Sequence, residues 1–324
     1  MINELYQLSA VLEQENITLY KWYGRYKQIP KKDAVRIWLS ADGSVADIDT
    51  IKKEDTQSLR KLETANGMSF PAFNIIPLYD KLDGTFPNHE ANPLKTDTLD
   101  AIRAKVRETG ADFGAAFDGD ADRCGFIDDN GDIIPMDLFT ALIAQDILSG
   151  GPATILYDLR SSRAVPECIR ANGGKAIRSR VGHAFIKAQM RENDAVFAGE
   201  LSGHYYFKQN YTAESQGLAM IMLANLICAK KLPLHTLIAP LKKYFSSGEI
   251  NSKVADVQPI LDAIKAKYTD GNMFELDGIS VEYDNWWFNI RASNTEPLLR
   301  LIVEADTKEL MESKKDELLK IIRG

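Results

Sequence analysis

The sequence predicts an α/β protein with mixed, mostly parallel sheets and a small C-terminal α+β domain. One observation is that apolar, strand-like runs alternate with helical segments from about residue 97 to about residue 243, as they do in βαβ units. A second is that the order changes after about residue 244 to a helix, short strands and a last helix. The composition, 45% hydrophobic and 26% charged over 324 residues, is typical of such a protein.

The N-terminal segment, residues 1–76, differs in pattern from the rest of the chain. We expect a short helix over residues 4–14 and a β-hairpin over residues 34–50, with Asp42-Gly43 between its two alternating strands. Aromatic and basic side chains alternate between residues 20 and 36, and such a pattern can stack on bases and hold phosphates. We favour the alternative, a half-buried strand with a solvated basic edge.

Helices and strands are predicted to alternate along the middle of the chain. The helices are expected at residues 97–109, 137–148, 161–173, 183–192 and 214–230. The strands between them are expected at residues 113–117, 153–159, 175–181 and 195–199. Ser161 can cap the third of these helices and Gly173 can end it. In the C-terminal part we expect helices over residues 256–268 and 307–322 and strands over residues 286–292 and 298–305.

The net charge and the cysteine content indicate the type of protein and its cellular location. A net charge of −7 and a pI near 5.3 argue against a general nucleic-acid coat. The three cysteines are far apart and form no Cys-x-x-Cys pair, which indicates reduced thiols and a cytoplasmic location. We expect no signal peptide, because the N-terminus has acidic residues in its apolar stretch, and no membrane partner, because no apolar run is long enough to span a bilayer.

A first loop with candidate functional residues follows the predicted strand at residues 113–117. Asp118, Asp120 and Asp122 alternate along it, so their carboxylates can converge on one hard cation. A calcium-binding EF-hand loop would have glycine at the sixth position and glutamate at the twelfth, where this chain has Arg123 and Asp129. The pattern therefore favours Mg²⁺, with Arg123 beside the metal and able to hold a phosphate oxygen. The alternative is a solvated acidic turn.

A second loop, residues 199–204, lies at the carboxyl end of another predicted strand, where ligands of α/β sheets collect. Glu200, Ser202 and His204 occupy alternate positions, so they can point the same way and hydrogen-bond neighbouring sugar hydroxyls. His204 can also act as a proton relay. A histidine in a turn is structural about as often as it is functional, so this pattern alone leaves both interpretations open.

A third loop joins the two predicted C-terminal strands. It contains Arg291, Ser293, Asn294 and Thr295, and Arg300 follows along the next strand. A guanidinium, two hydroxyls, an amide and consecutive backbone N–H groups can form an anion-binding concavity. We interpret the loop as a phosphate site rather than as an ordinary polar hairpin, which would not need these residue types together.

The three loops, in this order and spacing, resemble the phosphomannomutase/phosphoglucomutase family of α-D-phosphohexomutases. The resemblance implies a metal site made by Asp118, Asp120 and Asp122 with Arg123 beside it. It implies a sugar-recognition loop made by Glu200, Ser202 and His204. It also implies a phosphate-binding loop made by Arg291, Ser293, Asn294 and Thr295. It further implies substrate-binding roles for Arg180 and His183, where arginine replaces the usual lysine of a Lys-x-Gly-His segment. Residues 83–93 are similar to the segment that precedes the family's metal loop.

The resemblance also implies a domain organisation. Residues 77–131 would be part of domain II, residues 132–243 domain III and residues 244–324 domain IV. The family's first domain carries a phosphoserine in a Ser-His-Asn-Pro loop, and this tetrapeptide does not occur in the sequence. Residues 1–76 do not match the family and weakly resemble the N-terminus of the large subunit of type I-C CRISPR effector complexes.

The expected function is magnesium-dependent intramolecular phosphoryl transfer on hexose phosphates, with mannose or glucose 1- or 6-phosphate as substrate. Arg123 and His204 are the expected catalytic residues, and activity is expected to be impaired without the phosphoserine. Two alternatives remain open: a protein that binds sugar phosphate without turnover, and a nucleic-acid-associated protein acting through residues 1–76.

Overall fold

The computed structural model describes residues 35–39, 45–50, 74–79, 83–292 and 298–324. The chain divides into two compact units, residues 1–77 and residues 78–324. In the first unit, β1 (Val35–Leu39) pairs antiparallel with β2 (Val45–Thr50), which confirms the two predicted hairpin strands. The Asp42-Gly43 turn, the helix expected at residues 4–14 and the aromatic–basic stretch up to residue 34 lie outside the described residues.

The second unit begins with a helix on a three-stranded antiparallel sheet. The elements are α1 (Asp100–Thr109), β3 (Phe113–Phe117), β4 (Cys124–Asp128) and β5 (Ile133–Ile134). Leu99 and Val106 pack from the helical side against Ile127 of β4. Gly114 lets the helix lie close to β3, because a Cβ there would be only 3.0 Å from side-chain atoms of Ile102 and Val106.

The central sheet has five strands and helices on both faces. Its order is β10-β9-β8-β6-β7, and its strands are β6 (Thr154–Asp158), β7 (Lys175–Ser179), β8 (Phe197–Gly199), β9 (Tyr205–Phe207) and β10 (Ala213–Glu214). The helices are α2 (Met136–Ser149), α3 (Ala164–Ala171), α4 (His183–Glu192), α5 (Gln216–Lys230) and α6 (Leu234–Ile238). Successive strand residues alternate between two cores, since Ile155 packs with α2 whereas Leu156 packs with α4.

The C-terminal sheet is antiparallel and carries the helices on its apolar face. It comprises β11 (Phe245–Ser246), β12 (Ile250–Lys253), β13 (Asn272–Phe274), β14 (Ile279–Glu282), β15 (Trp286–Ala292) and β16 (Leu298–Ala305). The helices are α7 (Gln258–Lys267) and α8 (Lys308–Arg323). Phe288 and Val303 lie opposite each other in the β15–β16 ladder and belong to one core with Ile264 and Leu318 of the helices.

The prediction of mixed sheets is confirmed, but the predicted predominance of parallel pairing is wrong for the described strands. Parallel pairing is confined to β6, which pairs with β7 and β8, and the other described ladders are antiparallel. The reason is connection length: β3–β4, β8–β9 and β14–β15 are joined by short loops. A short loop can only reverse the chain, whereas parallel strands need a long crossover.

The predicted cap of α3 is also wrong. The helix begins at Ala164, and the hydroxyl of Ser162 rather than Ser161 accepts a hydrogen bond from the Ala164 N–H at 3.1 Å. Ser161 instead lies in a turn that its N–H closes on the carbonyl of Asp158 at 3.1 Å. The helix ends at Ala171, just before Gly173, whose φ of +80° suits a glycine after a helix.

Among the described helices, none is by itself both long and apolar enough to cross a bilayer. One bent pair, Gln216–Lys230 with Leu234–Leu241, meets the length and composition requirements together, with a 96° bend between its parts.

Candidate functional site

The three aspartates of the first loop converge. The loop connects antiparallel strands β3 and β4, and one carboxylate oxygen from each of Asp118, Asp120 and Asp122 lies within 4.8 Å of the others. Asp118 is buried, and its Oδ1 accepts a hydrogen bond from the Arg123 N–H at 3.1 Å, which closes the loop. Asp120 is exposed, so this cluster opens towards solvent.

The chemistry of this cluster fits a divalent cation. Three carboxylate oxygens form a hard donor set of the kind that Mg²⁺ takes. The Oδ1 of Asp122 is buried and forms no hydrogen bond within the described part of the chain. Arg123 is the adjacent positive charge, with Nε 2.7 Å from Asp118 Oδ2 and 3.5 Å from Asp122 Oδ1. Burial raises the pKa of Asp118, and a bound cation would offset this effect by stabilising the ionised carboxylate.

The second loop connects β8 to β9 and is tied to the metal loop through the backbone. The Cys124 N–H at the start of β4 donates to the Gly203 carbonyl at 3.0 Å. Gly203 has a φ of +86°, and a Cβ there would be 2.8 Å from Met136 Sδ and 3.0 Å from the Cys124 carbonyl. Only glycine fits this approach, which brings the two loops together.

His204 bridges the two loops with its side chain. Its Nδ1 is 2.8 Å from the Ser202 hydroxyl, and its Nε2 is 3.2 Å from Oδ2 of Asp122. The side-chain amide of Gln216, at the start of α5, donates to the Asp122 carbonyl. The imidazole therefore joins the expected sugar-recognition residues to the expected metal site.

Glu200 is buried beneath this loop. The Tyr206 hydroxyl donates to its Oε1, and His204 Nδ1 lies 3.7 Å from the same oxygen. Burial, followed by the nearby charge of Asp158, raises the pKa of Glu200, although Tyr206, His204 and Arg160 oppose this shift. Because its carboxylate already has partners, Glu200 is held in a fixed position at the carboxyl end of β8.

Two residues that the sequence reasoning missed complete this edge of the central sheet. Asp158 ends β6, and its Oδ2 accepts hydrogen bonds from Arg160 Nη2 at 2.6 Å and from the Leu201 N–H at 2.9 Å. Arg160 Nη2 is also 3.8 Å from Glu200 Oε2. The only sequence signal was a pair of charged residues directly after an apolar strand, at the edge where α/β proteins bind ligands.

The third loop is described only at its flanks. Arg291 is near the end of β15 and lies opposite Arg300 of β16, whereas Ser293, Asn294 and Thr295 are outside the described residues. Arg291 Nη2 contacts Glu249 Oε2 at 2.9 Å, and Arg300 Nη1 contacts Glu249 Oε1 at 2.9 Å. Glu249 was also missed, because nothing local marks it as a partner of residues far along the chain.

Glu249 connects the phosphate-loop arginines to the central sheet. Its Oε2 lies 3.4 Å from Arg160 Nη1, and Arg160 in turn pairs with Asp158 and approaches Glu200. A chain of ion pairs thus runs from Arg291 to the buried carboxylate of the second loop.

Arg180 and His183 stand apart from these contacts. The Arg180 guanidinium lies over the ring of Phe185, 4.2 Å from its centroid. His183 begins α4 with its side chain 66% exposed, and its Nδ1 is 3.8 Å from Glu214 Oε1. Among the described contacts, none joins either residue to the three loops.

Family models for phosphoglucomutase/phosphomannomutase match most of the chain. The model of the alpha/beta/alpha domain II matches residues 57–131, that of the alpha/beta/alpha domain III residues 135–244, and that of the C-terminal domain residues 249–321. The first match starts ahead of residue 77 and so takes in part of the segment that we expected to lie outside the family.

Individual relatives agree with these matches. The chain is 45% identical to a phosphomannomutase of Methanocaldococcus jannaschii over 250 residues, covering 77% of this chain and 56% of the relative. It is 34% identical to a phosphomannomutase of Salmonella montevideo over 320 residues, covering 93% and 69%. A phosphoglucomutase/phosphomannomutase family protein from Burkholderia thailandensis, a solved structure, superposes with a TM-score of 0.69 at 31% identity and covers 83% of this chain and 57% of that protein.

The first of these relatives and the solved structure are both considerably longer than this chain, which spans little more than half the length of each. The matches nevertheless run through all three loops described above, and the Salmonella relative is matched over more than two thirds of its length. The chain therefore belongs to the phosphoglucomutase/phosphomannomutase family.

Proposed function

We propose that the chain takes part in magnesium-dependent phosphoryl transfer on hexose phosphates, with mannose or glucose 1- or 6-phosphate as the ligand. The observation that carries this proposal is the position of His204, between Ser202 of one loop and Asp122 of another. A sugar held by the second loop would lie beside a cation held by the first. Family membership supports the same reaction class.

Asp118, Asp120 and Asp122 would hold one Mg²⁺. When bound, the ion neutralises charge on a transferring phosphoryl group. Arg123 lies beside the cluster and would hold a phosphoryl oxygen by a charge-assisted hydrogen bond. Electrostatic stabilisation of this kind commonly contributes more to the catalysis of phosphoryl transfer than any other effect.

The second loop would recognise the sugar ring. Glu200 is an acceptor for a sugar hydroxyl, Ser202 is a donor or acceptor, and both lie close to His204. His204 would move a proton between a sugar oxygen and its surroundings, since a histidine can lose and regain a proton near neutral pH. Arg180 and His183 would contact the substrate as the family resemblance implies.

Arg291 and Arg300, with Ser293, Asn294 and Thr295, would bind the phosphate of the sugar that is not being transferred. The positions of the two arginines on facing strands support this role, because both guanidiniums meet at Glu249. We assign residues 77–131, 132–243 and 244–324 to domains II, III and IV of the family. We place the protein in the cytoplasm, which its free cysteines support.

A second candidate function is sugar-phosphate binding without turnover. It is favoured by the sequence, which contains no Ser-His-Asn-Pro to supply the phosphoryl group. Both candidates require the same binding site, so binding is the property to test first.

The test is calorimetric titration of the chain with glucose 1-phosphate and mannose 1-phosphate in the presence of Mg²⁺. We expect Arg291→Ala to weaken binding by at least about tenfold, because a desolvated arginine–anion contact typically contributes about 2–5 kcal/mol. Arg300→Ala should weaken it less, since the Arg300 side chain is 24% exposed and that of Arg291 is 7% exposed. Unchanged affinity in Arg291→Ala would contradict the assignment of the third loop.

A further inference from the structure

The carboxylate of Glu249 lies among three guanidinium groups, where an anion would bind. It lies in the segment between β11 and β12, and its two carboxylate oxygens are divided between Arg300 on one side and Arg291 with Arg160 on the other. Two oxygens of one phosphate could take the same two directions. The carboxylate therefore stands where an anionic ligand of these arginines would be expected.

The contact with Arg291 falls on the nitrogen that a phosphate needs most. A guanidinium binds an anion in a bidentate manner either through Nε and Nη2 or through Nη1 and Nη2, and Nη2 belongs to both pairs. Glu249 already accepts from Nη2 at 2.9 Å, whereas Nε is buried and forms no hydrogen bond with the described residues. A phosphate bound by two donors of Arg291 would share Nη2 with the carboxylate, and two anions at one nitrogen repel each other.

The carboxylate is ionised and partly exposed to solvent. Burial alone would raise the pKa of Glu249, but Arg160, Arg291 and Arg300 outweigh burial, so the pKa lies below its ordinary value. The side chain remains 20% exposed.

We propose that Glu249 is an internal stand-in for the phosphate of the ligand. It holds Arg291 and Arg300 in place when no ligand is bound, and it gives up Arg291 when the phosphate of a hexose phosphate arrives. This inference rests on the proposed function and adds a competing group to it: phosphate affinity is set by the exchange of one anion for another.

The exchange also has a structural consequence at the central sheet. Arg160 pairs with Asp158 and Glu249 and approaches Glu200, so a shift of Glu249 leaves Arg160 to the other two carboxylates alone. Occupation of the phosphate site is thereby coupled to the electrostatic surroundings of the expected sugar-binding carboxylate.

The variant Glu249→Gln tests the proposal, because glutamine keeps the size and one acceptor oxygen but removes the charge. With inorganic phosphate as the probe, calorimetry should give binding at least about tenfold tighter than for the natural chain, since phosphate then restores the missing negative charge. Glu275→Gln is the matched control: it makes the same charge change just after β13, where Glu275 pairs with Lys265 and not with Arg291, so phosphate affinity should be unchanged.

Equal or weaker phosphate binding by Glu249→Gln would overturn the proposal and would mean that Glu249 only positions the arginines. Glu249→Asp provides a second variant, since its shorter side chain cannot bridge both arginines and should give an intermediate gain. Thermal unfolding gives an independent readout, because phosphate should raise the Tm of Glu249→Gln more than that of the natural chain. An equal Tm shift would again contradict the exchange.

The same titrations separate this inference from the proposed function. If hexose phosphates bind no better than inorganic phosphate to the natural chain, the proposed sugar site fails. The gain of Glu249→Gln for inorganic phosphate does not depend on the sugar, so its presence or absence still decides whether Glu249 competes with phosphate.

Discussion

The contacts of His204 determine which of its ring nitrogens carries the proton when the imidazole is neutral. Oδ2 of an ionised Asp122 can only accept, so Nε2 must donate to it at 3.2 Å. Nδ1 is then an acceptor for the Ser202 hydroxyl at 2.8 Å. This tautomer directs the basic nitrogen towards the second loop, where a sugar hydroxyl would compete with Ser202 for it.

At the same scale, removal of one carboxylate should abolish binding of the metal ion. We expect Asp120→Ala to lose Mg²⁺ binding in calorimetry, because two carboxylates are a poor substitute for three. Asp120 is exposed and forms no hydrogen bond with the described residues, so the loop should keep its conformation. Asp112→Ala makes the same charge change just before β3 and should bind Mg²⁺ normally. Retained Mg²⁺ binding in Asp120→Ala would remove the aspartate cluster as the metal site.

Local sequence patterns predicted the convergence of the aspartates and the proximity of Glu200, Ser202 and His204, since each set lies within a few residues. They could not predict Arg160 and Glu249. These residues are 89 positions apart, and Glu249 is 42 positions from Arg291 and 51 from Arg300. Ion pairs between such distant residues depend on how the two sheets pack, which no local period encodes.

At the scale of the element, helix α2 begins with a buried carboxylate. Asp137 accepts hydrogen bonds from the Ser162 N–H at 2.8 Å and from the Leu138 N–H at 2.9 Å. Burial raises its pKa to about 6 in spite of these donors, and the charges of Glu304 and Asp158 add to the shift. The folded protein therefore holds this proton more tightly than the unfolded chain, whose aspartate has its ordinary pKa of about 4.

The pH dependence of stability follows from this shift. Between about pH 4 and pH 6 the folded state binds more protons at Asp137 than the unfolded state, so its contribution to stability falls as pH rises. Asp137→Asn should remove this loss. Its free energy of unfolding, relative to the natural chain, should increase by up to about 2–3 kcal/mol between pH 4 and pH 7 in urea titrations. Glu192→Gln, an exposed carboxylate at the end of α4, is the control. If the free energy of unfolding had the same pH dependence in Asp137→Asn and in the natural chain, the raised pKa of Asp137 would be contradicted.

Element boundaries were most predictable where the apolar pattern was continuous. Trp286–Ala292 and Leu298–Ala305 form strands with the predicted bounds, because nearly every residue in them is apolar or buried in the ladder. Strand direction was harder to predict. The runs at β8 and β9 are apolar like that at β6, and only the length of the connection, five residues between Gly199 and Tyr205, makes their pairing antiparallel.

At the scale of the molecule, the central and C-terminal sheets are joined by polar contacts. The Arg163 guanidinium donates to the carbonyls of Asp284 at 2.8 Å and Trp286 at 2.9 Å, and its backbone N–H donates to Glu304 at 2.9 Å. Arg178 pairs with Glu282 at 2.6 Å. These contacts hold the sheet that carries the second loop against the sheet that carries Arg291.

The whole chain should nevertheless be a poor mutase by itself. Phosphoryl transfer of this type needs a nucleophile that carries the phosphate, and the sequence contains no Ser-His-Asn-Pro. A metal site stabilises the charge of a transferred group but supplies neither a donor nor an acceptor. We therefore expect sugar phosphate and Mg²⁺ to bind while turnover stays well below about 1 per second, the lower end of the common enzymatic range.

A coupled assay with glucose 1-phosphate and mannose 1-phosphate, Mg²⁺ and glucose 1,6-bisphosphate measures this turnover. A full-length phosphomannomutase in the same mixture verifies that the coupling enzymes are not limiting. Turnover of about 1–1,000 per second by the 324-residue chain would refute the prediction, because another residue would then have to carry the phosphate. Mass spectrometry of the chain after incubation with the bisphosphate would identify that residue. A phosphorylated histidine and a phosphorylated serine would be told apart by acid treatment, which hydrolyses the former and spares the latter.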